Sequence, residues 1–223
     1  MMKNEKAISK LTAELAEKVP SGRICGRKTD LVIEGYPRSG NTFTVDMIRI
    51  LQKTPPRIKL AHHSHSASNV RLGILLEKPV LIPLRQPIDA IVSLSIFSGR
   101  PLDTCAARYA RFHRWIERHK KSVIIASFET ITNDFNRVID RLNALPGIAI
   151  PRSTDLEADA KLALEAARAR SVKTHGSKAE DRVSAPSAAR TETKAQLIAE
   201  AEEVLEKRPE IRALYSSLMS NAL

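Results

Sequence analysis

A short apolar run, Leu31-Val32-Ile33, leads into Gly35-Tyr36-Pro37-Arg38-Ser39-Gly40-Asn41-Thr42, and a helical pattern then continues from Thr42 to Leu51. A strand that turns on glycines and feeds a helix is one half of a β–α–β crossover, so this stretch commits the chain to parallel pairing. The rest of the sequence repeats the alternation. Ile58 to Ala61 reads as a second strand, followed by a helix around Ser68 to Leu76, and Val80 to Leu84 reads as a third strand. Pro87 suits the first turn of the helix carrying Ile88, Ile91, Val92 and Leu94. Cys105, Tyr109, Phe112 and Ile116 follow three-and-four spacing and predict a long amphipathic helix from Leu102 to about Lys120. Val123 to Ala126 reads as a fourth strand, and Phe135, Val138, Ile139 and Leu142 share one helical face. Strands alternating with helices predict an α/β fold, a three-layer parallel sheet flanked by helices.

With 223 residues the chain suits one domain spanning 1–223, whose core covers residues 30–150. The first 23 residues carry a charged helical pattern (Ile8, Leu11, Leu15) without the apolar centre of a signal peptide, and no apolar run has the length of a membrane span. Two cysteines, Cys25 and Cys105, have neither metal spacing nor a disulfide framework, which fits a reducing, cytoplasmic setting. The net charge of +11 favours an anionic ligand. Aromatic residues make up only 4% and no basic cluster is interleaved with them, which argues against a single-strand nucleic-acid platform. Asp155 to Arg170 reads as an alanine-rich helix. Residues 171–190 carry Lys173, His175, Lys178, Arg182 and Arg190 with almost no large apolar side chain, and fit either a mobile lid or a solvated linker. Leu197 to Leu205 and Ile211 to Leu218 form a final helical region.

The loop from Gly35 to Thr42 keeps the Gly-x4-Gly frame and following threonine of a phosphate-binding loop. Its glycines allow a tight turn in which successive amides converge on an anion at a helix N-terminus. The lysine that reaches the outer phosphates of a nucleoside triphosphate is replaced by Asn41, and a cation stands instead at Arg38. Such a loop is a poor triphosphate hydrolase but can hold one 5'-phosphate. Further along, Arg85-Gln86-Pro87-Ile88-Asp89-Ala90-Ile91-Val92-Ser93 leaves the third apolar run with a guanidinium fork and a hydroxyl, both good phosphate partners. Read alone, Asp89 is a helix-start charge and Arg85 its ion-pair partner. The two motifs together, in this order and each leaving a strand, are what make a nucleotide site the better reading.

Pro37-Arg38-Ser39-Gly40-Asn41-Thr42-Phe43 resembles the 5'-phosphosulfate loop of sulfotransferases that use 3'-phosphoadenosine 5'-phosphosulfate (PAPS). Arg85-x-Pro-x-Asp-x-x-x-Ser93 is similar to that family's 3'-phosphate segment. Ser127-Phe128-Glu129-Thr130 is a weaker likeness, with Phe128 where the family has tyrosine. The resemblance covers about Asp30 to Asn143. It implies the P-loop-like sulfotransferase architecture and transfer of a sulfuryl group from PAPS to a hydroxyl or amine of a small-molecule or glycan acceptor, with no metal. It also implies that Arg38, Ser39, Gly40, Asn41, Thr42, Phe43, Arg85 and Ser93 bind the nucleotide. Arg38 replaces the commoner lysine; arginine stabilises charge but is a poor proton donor.

The segment Ala61-His62-His63-Ser64-His65 stands where the family presents its general base, and a neutral imidazole can take a proton from an attacking hydroxyl. Strand alternation predicts His63 and His65 on one face and His62 on the other. His65, at the segment's end, is the favoured base and His63 the reserve. Metal binding by the three suits such close spacing poorly. His113 and His175 read as surface residues, with Arg108, Arg111 and Arg114 beside His113 off the apolar face. The competing readings are a P-loop kinase or nucleoside triphosphatase, against which Asn41 counts, and a basic nucleic-acid-binding module.

Overall fold

The computed structural model describes residues 2–175 and 189–223. Four strands, β1 (Leu31–Ile33), β2 (Leu60–His62), β3 (Val80–Leu84) and β4 (Ile124–Ser127), form one parallel sheet in the order β2-β1-β3-β4. Leu31 pairs with Leu60, Val32 with Val80, and Leu81 with Ile124. The helices are α1 (Met2–Ala16), α2 (Asn41–Leu51), α3 (Ala67–Leu75), α4 (Pro87–Ser98), α5 (Leu102–Arg118), α6 (Phe128–Asn133), α7 (Phe135–Asn143), α8 (Leu156–His175), α9 (Ala189–Glu206) and α10 (Pro209–Met219).

Alternation of side chains along the strands divides the core in two. Val32, Val80, Ile82, Leu84 and Ile125 pack under α1, α3, α4, α5, α9 and α10. Leu31, Ile33, Leu81, Ile124 and Ala126 face the opposite way, onto α2, α6, α7 and α8. The sheet is therefore covered on both faces, as its continuous apolar runs require. Beyond β4, Leu223 donates its amide to the Ile125 carbonyl at 3.0 Å, so the last residues shield that edge.

The predicted elements are present with shifted ends. β2 begins two residues later than Ile58 and ends one later than Ala61, which makes His62 its last residue, and β4 ends on Ser127 instead of Ala126. The alanine-rich helix continues past Arg170 to His175, so the basic segment 171–190 begins inside α8 and ends inside α9. Lys173 is solvent-exposed. Lys178 and Arg182, and with them the lid-or-linker expectation, lie outside the described residues, as does the side chain of His175.

His113 corrects the surface assignment: its side chain is 0% exposed. It lies within α5 four residues after Tyr109 and three before Ile116, on the buried stripe. Its Nδ1–H donates to the Tyr109 carbonyl at 3.0 Å, and its ring packs 3.9 Å from that of Tyr109. Burial pushes its pKa down to about 3, so it is a neutral core histidine.

Candidate active site

The chain leaves β1 to form β2 on one side and returns to form β3 on the other. The order therefore reverses between β1 and β3, and in open sheets of this kind the ligand crevice lies at such a switch point, outside the carboxyl ends of the strands. Both sequence motifs leave the sheet here. Gly35 follows β1 so closely beside Pro83 that a Cβ would stand 2.7 Å from its carbonyl oxygen, which excludes any larger residue. The loop then turns through left-handed conformations at Arg38 (φ 70°) and Gly40 (φ 94°), and Gly40 is the N-cap of α2. As a glycine, Gly40 offers no side chain to cap that helix, and the amides of the first turn, which helix geometry leaves without intrahelical acceptors, carry the positive end of the dipole.

The two motifs meet directly. Arg85 Nη1 donates to the Arg38 carbonyl at 3.0 Å, while Arg38 Nε donates to Ser93 Oγ at 3.0 Å. The Arg38 guanidinium lies 5.0 Å from the Phe97 ring centre and that of Arg85 4.4 Å from the Phe128 ring centre. Arg85, with its side chain 19% exposed, also pairs with Asp89 at 3.8 Å, the ion pair that the sequence alone offered as an alternative role. Both loops are tied to α5: Tyr36 Oη donates to the Cys105 carbonyl and Tyr109 Oη to the Arg85 carbonyl, each at 2.9 Å.

The remaining loop residues divide by accessibility. Thr42 is half-buried, and its hydroxyl meets His63 Nε2 at 3.0 Å. Ser39 is fully buried, its amide turned onto the Tyr36 carbonyl, and its Oγ is among the buried atoms without a hydrogen-bond partner. Asn41 donates to the Tyr36 carbonyl at 3.0 Å and so braces the loop from within. Phe43 packs edge-on against Phe135.

The histidine segment departs from strand alternation. Past His62 the chain turns through positive φ at His63 (60°) and His65 (49°), which folds all three rings together instead of setting His62 apart. The rings of His62 and His63 lie 4.8 Å apart, and those of His63 and His65 5.7 Å. Glu34 holds this turn. Its buried carboxylate accepts from the amides of Ser64 (2.9 Å) and His65 (2.8 Å) and from Asn69 Nδ2 (2.8 Å). Burial raises the Glu34 pKa against those hydrogen bonds, which favour the charged form.

His65 Nδ1–H donates to the Gly35 carbonyl at 2.9 Å, which leaves Nε2 with the lone pair. Burial, then the nearby cations Arg108, Arg23 and Arg38, lowers its pKa to about 4. His63 is bonded at both ring nitrogens, to Thr42 and to His62, and burial lowers its pKa to about 2. The crevice thus combines a neutral imidazole, two guanidinium groups and an uncapped helix N-terminus.

Glu34 and Phe128 are the residues that sequence reasoning left without a place at the site. An acidic residue closing a buried apolar run was the available signal for Glu34. Phe128 belongs to the weakest of the three sequence likenesses, yet its ring underlies Arg85 and stands 3.4 Å from where a Gly40 Cβ would be. Among the described residues no cluster of histidine, cysteine, aspartate and glutamate has metal-holding geometry, and no helix is long and apolar enough to cross a membrane.

No family model and no curated protein matches the sequence. In three dimensions the chain is similar to the mouse sulfotransferase SULT7A1, whose crystal structure is a complex with PAP. The TM-score is 0.52 and the identity 14%, over 93% of this chain and 94% of that one. At that identity the likeness establishes the shared α/β fold.

Proposed function

We propose that the protein is a PAPS-dependent sulfotransferase acting on a hydroxyl or amine of a small-molecule or glycan acceptor. The observation that carries this reading is the junction of two cation-bearing loops at the β1–β3 crevice, Arg85 against Arg38, beside the uncapped start of α2. Two anion-binding stations suit a nucleotide phosphorylated at both ends. Loop amides and Thr42 receive the 5'-phosphosulfate, Ser39, Asn41 and Phe43 brace the loop, and Gly40 gives it its turn. Arg85 receives the 3'-phosphate. Ser93, already bonded to Arg38, sets that guanidinium between the two stations.

In the reaction the acceptor oxygen or nitrogen attacks sulfur in line. The new bond to sulfur forms as the bond from sulfur to the bridging phosphate oxygen breaks, and PAP departs with that electron pair. His65 Nε2 takes the acceptor proton, and Arg38 offsets the charge growing on the leaving oxygen. His63 is a weaker candidate for the base because both of its nitrogens are engaged. The comparison with a PAP-bound sulfotransferase of the same fold supports the nucleotide assignment.

The test is thermal melting with PAP, AMP and ATP–Mg²⁺. A ligand at a hundredfold excess over its Kd stabilises by about 2.7 kcal/mol, roughly 5–10 °C for a chain of this size. PAP should give a shift of that order and AMP much less. A shift with ATP–Mg²⁺ and none with PAP would return the protein to the kinase-like reading.

A further inference from the structure

The histidine cluster is joined into a chain of hydrogen bonds whose direction is fixed from one end. Arg49, on the last turn of α2, lies with Nη2 3.1 Å from His62 Nε2. A guanidinium only donates, so His62 Nε2 must be the bare nitrogen and its proton must sit on Nδ1. His62 Nδ1 is 2.6 Å from His63 Nδ1. With His62 as donor there, His63 Nδ1 is bare and its proton sits on Nε2. His63 Nε2–H then donates to Thr42 Oγ1 at 3.0 Å, so the threonine oxygen accepts and its own hydrogen is directed elsewhere.

We propose that Arg49 and His62 are positioning residues of the anion cradle, fixing through His63 the Thr42 hydroxyl as a hydrogen-bond donor. Resting on the sulfotransferase reading, the recipient of that hydrogen is the 5'-anion at the start of α2. The opposite tautomer of His63 would accept from Thr42 and turn the hydroxyl's lone pairs toward the anion. One guanidinium three bonds away thus decides whether Thr42 attracts or repels the ligand. The direction requires neutral rings, and burial supplies them, lowering His62 to about 4 and His63 to about 2. It also leaves His65 as the member of the cluster with a lone pair to offer.

Long-range proton–nitrogen correlation spectra of the full chain labelled with ¹⁵N-histidine read each tautomer directly. The expected pattern is Nδ1–H for His62 and Nε2–H for His63. Arg49→Met, a change at an exposed position, should erase the preference at both rings and weaken PAP binding about tenfold, the loss of one oriented donor. Arg49→Lys, which still donates to His62, should restore both. An Nδ1–H His63 in the parent protein, or an unchanged His63 pattern in Arg49→Met, would overturn the proposal. If the tautomers follow Arg49 while PAP binds neither protein, the relay stands and the nucleotide assignment falls.

Discussion

Arg85 grips the backbone of Arg38 through a 3.0 Å hydrogen bond across 47 residues of sequence. The two loops at the crevice are therefore one mechanical unit, and a change in either guanidinium has two consequences: loss of a charge and loss of a brace.

Arg85→Ala removes a charge-assisted contact of roughly 1.5–3 kcal/mol, and PAP affinity should fall by one to two decades. AMP, which lacks the 3'-phosphate, should lose less, only what the brace contributes. Calorimetric titration of both ligands separates the two effects. Equal losses for PAP and AMP would remove Arg85 from the 3'-phosphate.

His65→Ala should lower kcat by roughly 10²–10⁴-fold while PAP affinity stays within twofold, because the imidazole is assigned to proton transfer. With its pKa lowered to about 4, His65 is the free base throughout the neutral range. The acid limb of kcat/KM should accordingly fall near pH 4, and a limb near 6.5 would assign the base elsewhere.

Glu34→Gln sets an amide donor against two backbone amides and Asn69. The mismatch should cost about 1–3 kcal/mol of stability, read by denaturant unfolding. The turn that carries His65 should loosen with it, lowering kcat more than PAP affinity. Unchanged kcat would show that the turn holds itself.

His113 titrates near 6.5 when unfolded and at about 3 when folded. Between those values the unfolded chain binds the extra proton, so stability is fully present above pH 6.5 and drains as pH falls toward 3. The slope for this group is about 1.4 kcal/mol per pH unit. Melting temperatures of His113→Phe should depend less steeply on pH in that window. An identical slope would mean that His113 is already charged in the fold.

What the sequence made legible and what it hid follow different physics. The apolar runs and the glycine at position 40 report backbone geometry directly, so the strands and the loop could be read with ends off by a residue or two. The grouping of His62 with His63 and His65 could not, because it depends on left-handed backbone at two histidines, for which the sequence holds no glycine-like marker. His113 sat on a readable stripe; its polarity hid it, since a histidine enters a core only when a carbonyl such as that of Tyr109 stands ready. The pairing of Arg38 with Ser93 joins side chains 55 residues apart and exists only once α4 is packed.

Tyr36 and Tyr109 tether the β1 and β3 loops to the same helix. A rod that holds both jaws keeps the gap between them constant, and any tilt of α5 carries them along as a pair. Under the proposed function the crevice would then work as a fixed gauge, sorting ligands by the distance between their charged ends before any contact with a base is made.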